Sequence, residues 1–239
     1  MNQLLELAVM AHGGLKRWNE LSTVEVSMNV GGVLWQAKGV PGFAAISHIT
    51  ARLHEQVYSV QPFLKADQKT HFENGRIAIE NLNGKLIRAW DSPREHFAGH
   101  MLETQWEDLH LAYFNAYATW TYLTLPFVLA TKGFEVEEVQ GRIENGEAWR
   151  ALKAQFPPNL AYHSREQIFY FGPDGLLRRL DYDVDVSKGA RGAHYVYDHK
   201  EFDGIVVPTR RLVWAPDANN DPVKEPLVVS VEITKVKFY

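Results

Sequence analysis

Apolar and polar residues alternate with a period of two over much of the chain. Val24, Val26, Met28 and Val30 are interleaved with Glu25, Ser27 and Asn29, and Leu180, Tyr182, Val184 and Val186 with Asp181, Asp183 and Asp185. On an extended backbone successive side chains point to opposite faces, so each run has one wet and one dry face. Comparable runs predict strands near residues 33–38, 43–49, 54–60, 68–73, 76–81, 85–90, 134–143, 147–156, 165–171, 193–201, 205–214 and 227–238. Asn74-Gly75, Asn83-Gly84, Asn145-Gly146, Asp174-Gly175 and Asp203-Gly204 fall between such runs. These pairs supply the positive φ angles that two-residue hairpin turns need, so the sheet is expected to be antiparallel. Pro208 and the Pro216 to Pro222 loop are placed at strand edges or ends, because proline has no N–H for a ladder.

The period changes to a helical one in few places. Leu4, Leu5, Ala8, Val9, Ala11, Leu15 and Trp18 fall on a helical stripe over residues 2–18, interrupted at His12-Gly13-Gly14. A short helix is expected from Ser92-Pro93 to about Met101. A longer one begins near Gln105, with Glu107 and Asp108 where the helix dipole favours anions, and runs towards Leu129 with a kink or stop at Pro126. It is apolar almost all round, which implies burial almost all round. The order is one helix, about seven strands, a helical insert at about 93–131, and about six more strands. One sheet folded around the insert, over a single domain at 1–239, covers the apolar faces most economically.

Composition narrows the classes. The chain has 239 residues, 46% hydrophobic, enough for one substantial core. Its 25 Lys+Arg against 29 Asp+Glu give a net charge of -4, without the basic balance of a nucleic-acid binder or an electrostatic membrane binder. Without cysteine there is no disulfide, thiol nucleophile or thiolate metal site. The start, Met1 to Leu7, lacks a basic segment followed by a long apolar one, so a cytoplasmic protein is expected. Residues 109–131 form a 23-residue stretch free of Asp, Glu, Lys and Arg. His110, Asn115, Thr119, Thr121, Thr124 and Pro126 nevertheless make it a buried helix and not an integral membrane segment.

The chain resembles the LolA/LolB/LppX superfamily, the incomplete β-barrels of bacterial lipoprotein carriers and related lipid-binding proteins. The resemblance rests on the opening helix with Ala11-His12-Gly13-Gly14, the meander through Pro62, Asn74-Gly75 and Asn83-Gly84, and the helical plug ending in Leu125-Pro126-Phe127. It continues in the closing segments 169–179, Phe169 to Arg179, and 202–209, Phe202 to Thr209. The resemblance implies a mainly β, α+β fold: an antiparallel sheet of about eleven strands curled into a half-open barrel, plugged by helices over a cavity for acyl chains or similar ligands. The secretion signals of the periplasmic carriers have no counterpart in this sequence.

Candidate chemistry concentrates near the insert. If residues 93–110 are helical, His96, His100 and Glu103 share a face and could hold a divalent metal or an acid–base pair. Neither the glutamate of the zinc-protease motif nor a third ligand is present, so capping and hydrogen bonding is the plainer use of these residues and no metal is expected. Trp106, Tyr113, Tyr117, Trp120, Tyr122 and Phe127 form an aromatic belt. A packed core would favour aliphatic residues over so many phenols, so these, with His194, are the candidate ligand-binding residues. His163 and His199 share with His194 a place on or beside strands, where each is either an acid–base group or an ordinary satisfied histidine. Asp181, Asp183 and Asp185 are too straight for a calcium loop and are expected to be a solvated face paired with basic residues. No Ser-x-x-Lys, Gly-x-Ser-x-Gly, Walker or dinucleotide motif is present.

Two functions follow. The first is a carrier or binding protein for a hydrophobic small molecule or lipid-like ligand. The second is a cofactor-independent enzyme, an isomerase, cyclase, hydratase or lyase, with His100, Arg94, Tyr117 and Asp108 as the acid–base candidates. Both need a hydrophobic partner and neither needs a cofactor.

Overall fold

The computed structural model describes residues 2–43 and 46–239. Two helices, α1 (Gln3–Ala11) and α2 (Gly14–Asn19), precede strand β1 (Thr23–Gly31) and a single helical turn, α3 (Leu34–Ala37). A meander follows: β2 (Ile46–Arg52), β3 (Tyr58–Gln61), β4 (Gln68–Glu73), β5 (Arg76–Asn81) and β6 (Leu86–Asp91). A 3-10 turn (Pro93–Phe97), helix α4 (Asp108–Thr124) and a second 3-10 turn (Phe127–Ala130) make the insert. The chain then runs through β7 (Glu135–Glu144), β8 (Glu147–Gln155), β9 (Glu166–Phe171), β10 (Leu177–Asp183), β11 (Arg191–Phe202), β12 (Ile205–Pro216), the two-residue β13 (Pro222–Val223) and β14 (Val229–Phe238).

Among the described residues the strands form one antiparallel sheet, in the order β6-β5-β4-β3-β2-β1-β14-β12-β11-β10-β9-β8-β7, with β13 beside β12. The sheet is therefore open, and the insert joins its two edge strands, β6 and β7. The expected α+β half-barrel is present, with thirteen strands on its path in place of about eleven. All five Asn-Gly and Asp-Gly pairs sit in hairpins. At Asn74-Gly75, Asn145-Gly146 and Asp203-Gly204 both residues have positive φ, whereas at Asn83-Gly84 and Asp174-Gly175 only the glycine does.

Helix α4 lies along the concave side, and fifteen of its residues are buried. Its start is fixed by a capping box: the Glu107 side chain takes the His110 backbone N–H, and the Glu107 N–H donates to His110 Nδ1 at 3.1 Å. The helix stops at Thr124, just ahead of Pro126 as expected, and 127–130 is a separate 3-10 turn. At the other end of the sheet α1 and α2 cover the hairpin turns. Gly13 (φ 121) is packed so tightly that a Cβ there would clash with the Gly204 carbonyl, and Trp18 stacks on Phe127 at 4.2 Å.

Three expectations change. The strand expected at 33–38 is instead α3: Gly32 (φ 100) turns the chain away against Val228, and β1 already has β14 and β2 on its two sides. The helix expected to reach Met101 stops at Phe97, as the only helical turn there is Pro93–Phe97. The strand expected at 43–49 is seen from Ile46: Phe43 belongs instead to a 3-10 turn, Pro41–Phe43, and residues 44 and 45 lie outside the described residues. Pro208 lies within β12, but β14 pairs only with Arg210 to Val213, so the missing N–H interrupts no ladder on that side.

Candidate functional site

Between α4 and the sheet is an apolar chamber of about 330 Å³. Met28 and Val30 of β1, Val229 and Val231 of β14 and Val213 of β12 form its sheet wall, and Phe114, Ala118 and Tyr122 of α4 face them. The period-two pattern explains the wall: residues two apart project to one side, here towards α4. The mouth lies among α3, residues 101–104 and residues 187–191, where Val33, Leu102 and Arg191 are exposed. A volume of this size is at the low end of small-ligand pockets.

Lys38 ties the segments of the mouth together. The side chain is buried, and its Nζ donates to the carbonyls of Leu102 at 2.8 Å, Met101 at 3.3 Å and Thr104 at 3.3 Å and to Ser187 Oγ at 2.9 Å. The ammonium also lies 5.0 Å from the Trp106 ring. Burial lowers its pKa, with Glu103 opposing. Its hydrogen-bond partners among the described residues are carbonyls and a hydroxyl, so their dipoles compensate the charge.

The floor is a chain of polar rings. Tyr117 Oη lies 3.3 Å from His163 Nδ1, Tyr122 Oη 2.7 Å from His163 Nε2 and 3.2 Å from Tyr182 Oη, and Tyr182 Oη 3.3 Å from His194 Nδ1. His163 stacks on Tyr182 at 4.2 Å. Burial drives every member towards its neutral form: His163 is pushed down to about 3, His194 falls well below its usual value, Tyr122 rises to about 12, and Tyr117 and Tyr182 also rise. Beside Tyr122 lies Arg211, 1% exposed, whose guanidinium sits 5.0 Å from that ring and donates through Nη2 to the Tyr122 carbonyl at 2.9 Å.

Of the expected ligand-binding residues, Trp106 and Tyr122 line the chamber. Tyr117 and His194 are behind it in the ring chain. Tyr113 packs against Phe72 and Phe97, Phe127 against Trp18, and Trp120 donates from its indole to the carbonyls of Arg52 and Glu55. The four acid–base candidates are not gathered around the chamber. Asp108 pairs with Arg88 at 2.7 Å, Arg94 with Asp185 at 2.6 Å, and His100 sits beside His110 with ring centres 4.7 Å apart. Because the helical turn ends at Phe97, His96, His100 and Glu103 do not share a helical face. His96 instead stacks on Trp90 at 3.9 Å, and among the described residues no three His, Asp or Glu side chains form a metal site.

One further expectation is corrected. Asp181 is buried rather than solvated: it accepts from Arg179 at 2.6 Å on the outer face of the sheet, while Asp183 and Asp185 pair with Arg191 and Arg94. Lys38, Asn115, Tyr182 and Arg211 were not among the sequence candidates. Arg211 was detectable in principle, since it shares strand parity with Val207, Thr209 and Val213. Lys38 was hidden by the wrong element.

No known family signature matches the sequence, and no curated protein is similar to it in sequence. Solved structures are similar in fold. A DUF1329 family protein from Desulfovibrio piger superposes with TM-score 0.54 at 10% identity, covering 99% of this chain and 92% of its own. A LolA superfamily protein from Nitrosomonas europaea gives TM-score 0.50 at 10% identity, with 94% and 91% covered. A Vibrio parahaemolyticus domain named for outer membrane lipoprotein sorting gives 0.53 at 12%, with 98% and 91% covered. The architecture is an open antiparallel half-barrel filled by a helix. Within that class it is the LolA-like fold.

Proposed function

We propose that the protein binds a hydrophobic small molecule or lipid-like ligand in the chamber and acts as a carrier or binding protein. One observation carries this reading: an apolar chamber of about 330 Å³ is kept between α4 and the sheet in a chain with ample apolar residues to fill it. Protein interiors close up unless something keeps them open, and close packing is their normal state. The LolA-like fold, and the naming of one similar structure for lipoprotein sorting, support a lipid-bearing or acyl ligand.

The ring chain also favours binding over turnover. Both nitrogens of His163 are engaged by phenols, so its imidazole has no free lone pair for a bound substrate. Trp35 and Trp106 line the chamber, and filling it should change their fluorescence. Titration with C8 to C16 alcohols and acids, read by tryptophan emission and by native mass spectrometry, is expected to give one-to-one binding. Absence of any bound species across that series would sink this reading.

A further inference from the structure

The hydrogens of the ring chain can be assigned without freedom. Among the described residues Tyr117 Oη has one partner, His163 Nδ1, so the buried phenol donates there. The neutral His163 then carries its hydrogen on Nε2 and donates to Tyr122 Oη. Tyr122 has Tyr182 Oη as its remaining acceptor, and Tyr182 in turn has His194 Nδ1. The neutral His194, its Nδ1 used as an acceptor, must carry N–H on Nε2. Reversing the direction would leave the Tyr117 hydroxyl hydrogen buried and unpaired, an outcome that costs free energy.

The chain therefore ends in a donor, and among the described residues that donor has no acceptor. His194 Nε2 is buried and unpartnered there, and so are Nε and Nη1 of Arg211. Both side chains pack against the Tyr122 ring, which lies 4.7 Å from the His194 ring and 5.0 Å from the guanidinium. No carboxylate pairs with Arg211 among the described residues. Burial pushes its pKa down only to about 10, so it is charged at neutral pH. A buried cation with unused donors and no counter-ion is an incomplete arrangement, and the partner that completes it accepts hydrogen bonds only and is negative. His194 is directly opposite Val213, which lines the chamber, and Arg211 is two residues further along β12, about 7 Å deeper.

We infer that Arg211 and His194 form an internal anion subsite that takes the carboxylate of a long-chain carboxylic acid whose alkyl chain occupies the chamber. The inference rests on the chamber-binding reading above and narrows its ligand to an anionic amphiphile.

The test compares dodecanoate, dodecanol and acetate at pH 7.5 on the intact chain and on Arg211→Gln, by calorimetry and native mass spectrometry. Dodecanoate is expected to bind the wild type at least about ten-fold more tightly than dodecanol, with the ratio falling towards one in the variant and with acetate not binding at millimolar concentration. Should Arg211→Gln fail to fold, the wild-type ratio and the histidine ¹⁵N spectrum still decide, since dodecanoate but not dodecanol should shift the His194 Nε2–H resonance. Equal affinity for acid and alcohol would overturn the anion subsite and leave the chamber reading intact. Binding of neither overturns both, and acetate binding as tightly as dodecanoate overturns the amphiphile by assigning the site to a free anion.

Discussion

The Lys38 ammonium donates to the Ser187 hydroxyl at 2.9 Å, and both side chains are buried. This contact links the turn after α3 to the β10–β11 loop, and the same Nζ holds the carbonyls at 101, 102 and 104. Lys38→Met keeps the apolar stem and removes the donors, leaving several carbonyls short of a partner. The expected cost is about 2 kcal/mol. Amide exchange should accelerate at 101–104 and 187–190 while the sheet remains protected. Unchanged exchange in those segments would show that Lys38 does not hold the mouth together.

Ala118 and Thr119 face the chamber from α4. Ala118→Leu places three extra carbons in existing space, so it should lower ligand affinity about ten-fold or more without lowering the melting temperature. A melting temperature several degrees lower would mean that the volume is not free in solution.

On the outer face, Arg179 is fully buried and is held by Asp181 at 2.6 Å, Tyr195 Oη at 2.7 Å and the Asn220 carbonyl at 2.6 Å. Asp181→Ala removes the closer counter-charge of the guanidinium and leaves Glu144 at 3.8 Å, so it should cost about 1.5 to 3 kcal/mol in urea unfolding. Ligand binding in the chamber, on the opposite face of the sheet, should survive under native conditions. A loss below about 1 kcal/mol would show the pair to be dispensable.

Acid should weaken the fold through its histidines. Burial lowers His12 to about 4, His199 to about 4 and His163 to about 3, against about 6.5 in the unfolded chain. Below pH 6.5 the unfolded state binds these protons first, so stability is whole above that pH and falls as pH drops towards 4. Each histidine contributes about 1.4 kcal/mol per pH unit in that window. Urea unfolding at pH 7.5, 6, 5 and 4 should show the steepening, and His163→Gln should flatten it. A curve level down to pH 4 would contradict the buried, neutral assignment.

The repeating β pattern was legible because its causes are local. Alternation at 24–30 and the five hairpin pairs need no knowledge of the partner strand, and the uncharged stretch from 109 announces a buried helix by itself. The site was less legible because its groups come together only through the sheet register. His194 meets Tyr182 through β10 and β11, and Arg211 reaches Tyr122 on α4 from a separate strand. The aromatic belt pointed to the right helix, yet its spacing could not tell Tyr122, at the chamber, from Trp120 two residues earlier, which closes a loop by donating to Arg52 and Glu55.

The place of β14 in the sheet governs how the protein is born. Among the described residues the meander β1–β6 and the series β7–β12 are joined in the sheet only through β14, which pairs with β1 on one side and β12 on the other. A growing chain on the ribosome therefore carries two unjoined half-sheets until residues 229–238 have emerged, and contacts of such long sequence separation form slowly. Val229 and Val231 belong to the chamber wall. The chamber wall is therefore incomplete until this last segment has been translated.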